Sequence, residues 1–272
     1  MNTQDRSVAA LHHVSHVGDA TLPTLMLIHP LGADHTFWDE CADIWRDRIS
    51  TLACDLRCAG ESPRSGEPPS IATHVADLEA LRLSLGIASV VPVGCAIGAM
   101  IAAAYAATYP EHTAALVLSN PAARSSEEAA RRLSERAQQV QRGGMQAILP
   151  GAVERPFVGR PDDDRRARYA ARFARQDPAA YATSVLGVVD ANVEAELAAI
   201  RCPALIVAGG HDVLFPPDDA RQVHNRIARA RYALFEDAAH FVPYQMPIEF
   251  ATQVLAFLSE AARIRLPGAL QP

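Results

Sequence analysis

The chain has 272 residues, with 25 basic and 31 acidic side chains and a formal charge of -6; every basic residue is Arg. With 49% hydrophobic and 21% charged residues, it is a globular composition. It is long enough to bury about three quarters of its unfolded surface, in one large domain or two small ones, without disulfide or metal staples. The acidic balance excludes a broad nucleic-acid-binding face, and no apolar run reaches the roughly 20 residues of a membrane span.

In chain order, residues 1–10 are polar and mixed in charge, unlike a signal peptide. Residues 24–29 (TLMLIH) read as a buried strand and 36–48 as the helix after it. Residues 51–55 form the next strand, and a Gly/Pro/Ser-rich loop runs on to Ser70. A helix over 71–85 is implied by the spacing of Val75, Leu78, Leu81 and Leu85, with Gly86 at its end. Residues 90–93 are a strand, 97–109 a small-residue helix stopped by Pro110, and 115–118 another strand. Residues 202–208 and 232–235 add two strands, and the last helix covers 247–261. Such alternation predicts a mostly parallel sheet with helices on both faces.

Between 121 and 196 no strand pattern occurs, only helical patterns rich in Ala and Arg. This predicts a core of residues 1–120 and 197–265, a helical cap over 121–196 inserted between two strands, and a frayed tail at 266–272. The cap holds twelve Arg against eleven acids, so its surface runs read as solvated helix faces with local ion pairs. The five cysteines lack metal-ligand spacing, and Cys54, Cys95 and Cys202 lie in or beside apolar runs. They read as buried thiols of a reducing, cytoplasmic compartment. Nothing in the sequence calls for a metal or cofactor.

The segment richest in information is Gly94-Cys95-Ala96-Ile97-Gly98, set between an apolar strand and a small-residue helix. That is the setting of a Gly-x-Ser-x-Gly nucleophile elbow: the glycines allow the sharp turn, and the central side chain stands above a helix N-terminus that favours a developing oxyanion. Here the central residue is Ala96, and a methyl group cannot attack a carbonyl. Cys95 is one position early, so its side chain should point back into the fold.

Four further segments fall in order around this one: His29-Pro30-Leu31-Gly32, Asp55-Leu56-Arg57-Cys58-Ala59-Gly60-Glu61-Ser62, Gly209-Gly210-His211-Asp212 and Asp237-Ala238-Ala239-His240-Phe241. With them the chain resembles the α/β-hydrolase superfamily over nearly its whole length, most nearly the 3-oxoadipate enol-lactonase branch. The resemblance implies an α/β-hydrolase fold and an ester- or lactone-cleaving enzyme. His240 would be general base and acid, Asp212 its orienting carboxylate, and Ala96 would occupy the nucleophile position. Asn120 stands at the alternative acid position of some relatives, and as an amide it cannot take that role. The oxyanion donors would be the backbone N–H groups of Leu31 and Ile97, since Pro30 has none to give. His29, Trp38 and Arg124 are the candidate substrate-binding residues, with Phe37 a pocket or core aromatic. The expected partner is a small molecule, carboxylate-bearing if the enol-lactonase likeness extends to the substrate; whether the chain is a monomer or homodimer stays open. Ala96 admits three functional readings: a hydrolase whose Ser was changed to Ala and which traps its ligand, a natural enzyme that uses His240 and Asp212 without a covalent nucleophile, or a non-catalytic small-molecule binder.

Overall fold

A computed structural model describes residues 10–264 and 266. Seven strands form one sheet, in the order β1 (His13–His16), β3 (Thr51–Cys54), β2 (Thr24–Ile28), β4 (Val90–Cys95), β5 (Leu116–Ser119), β6 (Ala204–Gly209) and β7 (Ala230–Phe235). β1 pairs antiparallel to β3, and every other neighbouring pair is parallel. The mostly parallel, helix-covered sheet expected from the sequence is therefore present.

The central strands are apolar on both sides because helices cover both faces. Leu25 and Leu27 of β2, Val91, Val93 and Cys95 of β4, and Leu205 and Val207 of β6 enter one core. Met26, Ile28, Val90, Ala204, Ile206 and Ala208 enter the other. The first core takes Trp45 from α1 (Asp39–Trp45) and Phe250, Val254 and Phe257 from α11 (Pro247–Glu260). The second takes Val75, Leu78 and Leu81 from α2 (Ile71–Ser84) and nearly all of α3 (Ile97–Thr108). β1 is the strand that the sequence pattern misses. It lies at the sheet edge with a half-exposed pattern and carries two histidines, so neither apolar run nor alternation marks it. The helix expected over 36–48 is divided: a 3-10 turn at His35–Trp38, capped by the Asp34 side chain on Thr36 N–H, precedes α1.

After β5 the chain leaves the sheet through α4 (Glu127–Gly143), α5 (Leu149–Glu154), α6 (Asp164–Ala174) and α7 (Pro178–Leu186). An antiparallel bridge between Arg124 and Asn192 closes the base of this excursion. α8 (Glu194–Ala199) comes next, and its Leu197 is already part of the core around α3; the expected boundary at 196 thus falls inside a helix that packs on α3. α9 (Pro217–Arg226) and the short α10 (Val242–Gln245) complete the order. Directional contacts tie the insertion to the core. Arg165 and Arg168 bridge to Glu40, the Gln176 amide donates to the Gly32 carbonyl, and the Tyr244 hydroxyl donates to the Arg165 carbonyl. The Pro156 carbonyl accepts from both the His240 N–H and the Gln245 side chain. The frayed tail expected at 266–272 lies outside the described residues, apart from Leu266. No helix among the described residues is long and apolar enough to cross a membrane.

Candidate active site

Four strands deliver the polar centre. Ala96 comes directly after the carboxyl end of β4, Asn120 after that of β5, Asp212 after that of β6 and His240 after that of β7. Loops beyond these strand ends are where ligands bind in open α/β sheets.

At the elbow, Ala96 holds φ 52° and ψ -115°, a conformation that strains any residue with a Cβ, by about 1–3 kcal/mol. Two glycines make it possible. A Cβ at Gly94 would stand 2.1 Å from the Gly98 carbonyl oxygen, and one at Gly98 would stand 2.3 Å from that of Ile28. The turn is fixed further by Ala96 N–H donating to the Ser119 carbonyl at 2.9 Å. Ile97 is the first residue of α3, so its N–H has no acceptor within the helix. Cys95 points into the fold, as the turn requires. Its thiol is fully buried, 3.8 Å from the His240 carbonyl, and burial raises its pKa well above the ordinary thiol value. It cannot serve as a thiolate nucleophile there.

His240 Nδ1 lies 2.9 and 3.1 Å from the two Asp212 carboxylate oxygens. Asp212 Oδ1 also accepts the N–H groups of Leu214 at 2.8 Å and Phe215 at 3.0 Å, and Oδ2 accepts from the Asn120 amide at 2.9 Å. Burial alone would raise the Asp212 carboxyl, but His240 and the backbone donors outweigh it and hold its pKa below the usual carboxylate value. An ionised Asp212 obliges Nδ1 of His240 to carry a proton and leaves Nε2 as the basic nitrogen. Asn120 is locked into this network. It donates to the Ala239 carbonyl and accepts from the Ser119 hydroxyl, and it adopts φ 50°. It is a partner of the acid, a role that sequence spacing does not signal.

Ala96 and His240 line one cavity of about 350 Å³, together with Pro30, Leu31, Ile97, Tyr169, Phe173 and Phe215. The Phe215 ring stands edge-on to the imidazole at 5.2 Å. The insertion supplies the opposite wall, including Arg132, Arg136 and Arg155. Arg132 is paired with Glu128, and Arg136 reaches the Tyr181 hydroxyl at 3.4 Å. The Arg155 side chain makes no hydrogen bond or ion pair among the described residues. Burial and the neighbouring Arg132 and Arg136 charges lower its pKa. The three arginines bring positive charge to a cavity lining that also contains Glu128 and Asp219.

The remaining sequence candidates lie elsewhere. Trp38 is fully buried against Phe37 and Phe250 in the core and does not line the cavity. His29 is buried behind the loop. Its Nδ1 is 2.8 Å from the Pro30 carbonyl and its Nε2 accepts Leu56 N–H at 2.9 Å, while burial lowers its pKa. Those bonds shape the turn that presents Leu31. Arg124 is exposed and lines a neighbouring groove with Arg226 and Glu194. The arginines that do face the cavity escape sequence reasoning because they are dispersed over α4 and the end of α5, and only the fold of the insertion brings them together.

Known proteins share this architecture. The chain is 26% identical over 269 residues to a Caulobacter sp. (strain K31) protein named "Putative carbamate hydrolase RutD", covering 95% of this chain and 99% of that one. It is 25% identical over 244 residues to 3-oxoadipate enol-lactonase 2 of Acinetobacter baylyi, covering 89% and 90%. Among solved structures, the enol-lactonase from Burkholderia xenovorans LB400 superposes with a TM-score of 0.84 at 26% identity, covering 93% of this chain and 97% of that one. The sequence profile of the family described as "Serine aminopeptidase, S33" matches residues 20–244. Since that match runs from ahead of β2 into α10 and includes every strand-end residue of the site, the chain belongs to this family of α/β-hydrolases.

Proposed function

We propose that this protein hydrolyses a small, carboxylate-bearing substrate with an activated carbonyl, a lactone, ester or carbamate, without forming an acyl-enzyme. The observation that carries this reading is the complete Asp212–His240 pair beside a methyl group. A buried polar pair is costly to desolvate, and an apolar replacement is often neutral or better for stability, so its presence here points to chemistry. In this scheme His240 Nε2 takes a proton from a water molecule in the cavity, and the hydroxide attacks the carbonyl carbon. The oxyanion is met by the N–H groups of Leu31 and Ile97. The imidazolium, stabilised by Asp212, then returns the proton to the leaving oxygen or nitrogen as the carbonyl re-forms. Arg136 and Arg155 hold the substrate carboxylate at the far wall, and the helices of the insertion act as a cap that limits substrate size. The names of the relatives agree with labile carbonyl substrates of this kind.

A second reading is favoured by the strained backbone at Ala96. That conformation serves to present a nucleophile; on this reading Ala96 is a serine position emptied of its oxygen, and the chain a ligand trap. Loss of a triad serine costs roughly 10⁶ in turnover, about 8 kcal/mol, while binding and oxyanion stabilisation still leave about 10³ to 10⁴ over water. One experiment separates the two. The chain, Ala96→Ser and His240→Ala are assayed on an activated ester, a carboxylated lactone and a small carbamate. Water activation predicts turnover by the unaltered chain, reduced about 10²- to 10⁴-fold in His240→Ala. Activity gained only in Ala96→Ser, with an acyl-enzyme burst, would establish the trap. Turnover indifferent to His240→Ala would overturn the proposal.

A further inference from the structure

Away from the cavity, three potential ligands converge from three segments. His12 precedes β1, His35 begins the 3-10 turn after the loop that carries Leu31, and Asp55 comes directly after β3. His12 Nδ1 is 2.9 Å from Asp55 Oδ2 and His35 Nδ1 is 2.8 Å from Oδ1. The three ligand atoms all lie within 4.8 Å of one another. The sequence offers no hint of this, since the residues lie 20 to 43 positions apart.

We propose that His12, His35 and Asp55 form a binding site for a divalent transition-metal ion of the zinc class, which clamps the Leu31 loop to the sheet edge. The donor set is two imidazole nitrogens and one carboxylate oxygen, the chemistry of zinc, cobalt(II) or nickel(II); magnesium and calcium prefer oxygen ligands. The nitrogen–oxygen separations of 2.8 and 2.9 Å approach the roughly 3.3 Å edge of a tetrahedron with bonds of 2.0–2.1 Å. A small rotation of the rings admits the ion, with water in the fourth position.

The carboxylate is held ready. Its side chain is fully buried, and its oxygens accept the N–H groups of His35 at 2.7 Å and Glu61 at 2.9 Å. Gly60 keeps the space beside it clear, since a Cβ there would stand 2.1 Å from Oδ2. The rings are partly open to solvent, 29% exposed for His12 and 19% for His35, which gives the ion a way in. Glu61 Oε2 lies 3.7 Å from His12 Nε2, the place from which a carboxylate orients a metal-bound imidazole. Asp55 and Glu61 together bring two negative charges against the ion's two positive ones. Each neutral ring moves its proton from Nδ1 to Nε2 and gives the freed Nδ1 lone pair to the ion, with no net proton release.

The test is titration of the full chain, free of any histidine tag, with zinc chloride by calorimetry and with cobalt(II) by visible absorption. The expected result is one ion per chain, a tetrahedral cobalt spectrum and a higher Tm. His12→Gln and His35→Gln should weaken binding by about 100-fold or more, and Glu61→Gln, on an exposed side chain, by about 10-fold without disturbing the fold. No heat and no cobalt spectrum at about 1 mM ion, well above the dissociation constant of a structural zinc site, would overturn the proposal. So would binding that survives His12→Gln/His35→Gln, or binding lost instead in His13→Gln/His16→Gln on β1. Should the ligand variants fail to fold, the Glu61→Gln affinity and the cobalt spectrum of the unaltered chain decide.

Discussion

Replacing Asp212 by Asn changes one atom of the carboxylate, and the surrounding hydrogen bonds dictate how the pair responds. The carboxamide oxygen must remain where Oδ1 accepts the Leu214 and Phe215 N–H groups, so the new NH₂ faces Asn120 Nδ2 and His240 Nδ1. His240 can answer by changing tautomer. Asn120 cannot turn over without losing its bonds to the Ala239 carbonyl and the Ser119 hydroxyl. One buried donor–donor contact is left, costing about 1–3 kcal/mol, and charge-assisted bonds are lost as well. The sum is about 3–5 kcal/mol, as for other buried pairs with one partner removed. Urea unfolding at pH 7 should show this loss, and at about 2–4 °C per kcal/mol the Tm should fall by roughly 6–20 °C. The pH dependence carries a sign. The folded Asp212 pKa is depressed, so its contribution is complete above the unfolded carboxyl value near 3.9 and is lost as pH falls through the lower folded value. The gap between the two proteins should therefore be full at pH 7 and shrink below about pH 4. Equal stability at pH 7, or a gap that stays constant from about pH 7 to 3, would refute this linkage, as would ¹⁵N spectra showing His240 still protonated at Nδ1 in the variant.

Ala96→Gly should relieve the strain of φ 52° and raise stability by about 1 kcal/mol, read as a Tm increase of about 2–4 °C. Gly98→Ala drives a Cβ to 2.3 Å from the Ile28 carbonyl, with His29 backbone oxygen at 2.7 Å; it should cost at least about 3 kcal/mol in urea unfolding, because only backbone can give way. Arg155→Gln should leave stability within about 0.5 kcal/mol, since the side chain has no acid partner among the described residues, yet weaken adipate binding by calorimetry about 10-fold or more. Unchanged adipate affinity would detach the arginine wall from the substrate.

The central strands are legible in the sequence because they are buried on both faces and so appear as uninterrupted apolar runs. The elbow is legible because its glycines are required by backbone contacts under 2.5 Å, a demand that leaves its mark on the local sequence. β1 escapes because an edge strand with one solvated side needs no such run. Trp38 goes to the core instead of the cavity, since aromatic character alone does not tell which side of a helix-covered sheet a residue serves. Arg124 differs from Arg132, Arg136 and Arg155 only in where the insertion folds it, and composition is blind to that. Asn120 looks like a disabled acid in one dimension; in three it is the amide that holds the acid in place.

The carbonyl of Pro156 grips the His240 segment by both a backbone amide and a side-chain amide, while Arg160 reaches the Asp237 carbonyl from the same wall. Roof and base are thereby joined by hydrogen bonds on this side. The opposite flank, where Ser125 and Ser126 border both the cavity and the outer groove, is tied separately, by the Ser125 N–H donating to the Ala191 carbonyl at 2.7 Å. Amide exchange should accordingly slow or quicken in concert at Phe157 and His240, and independently at the start of α4.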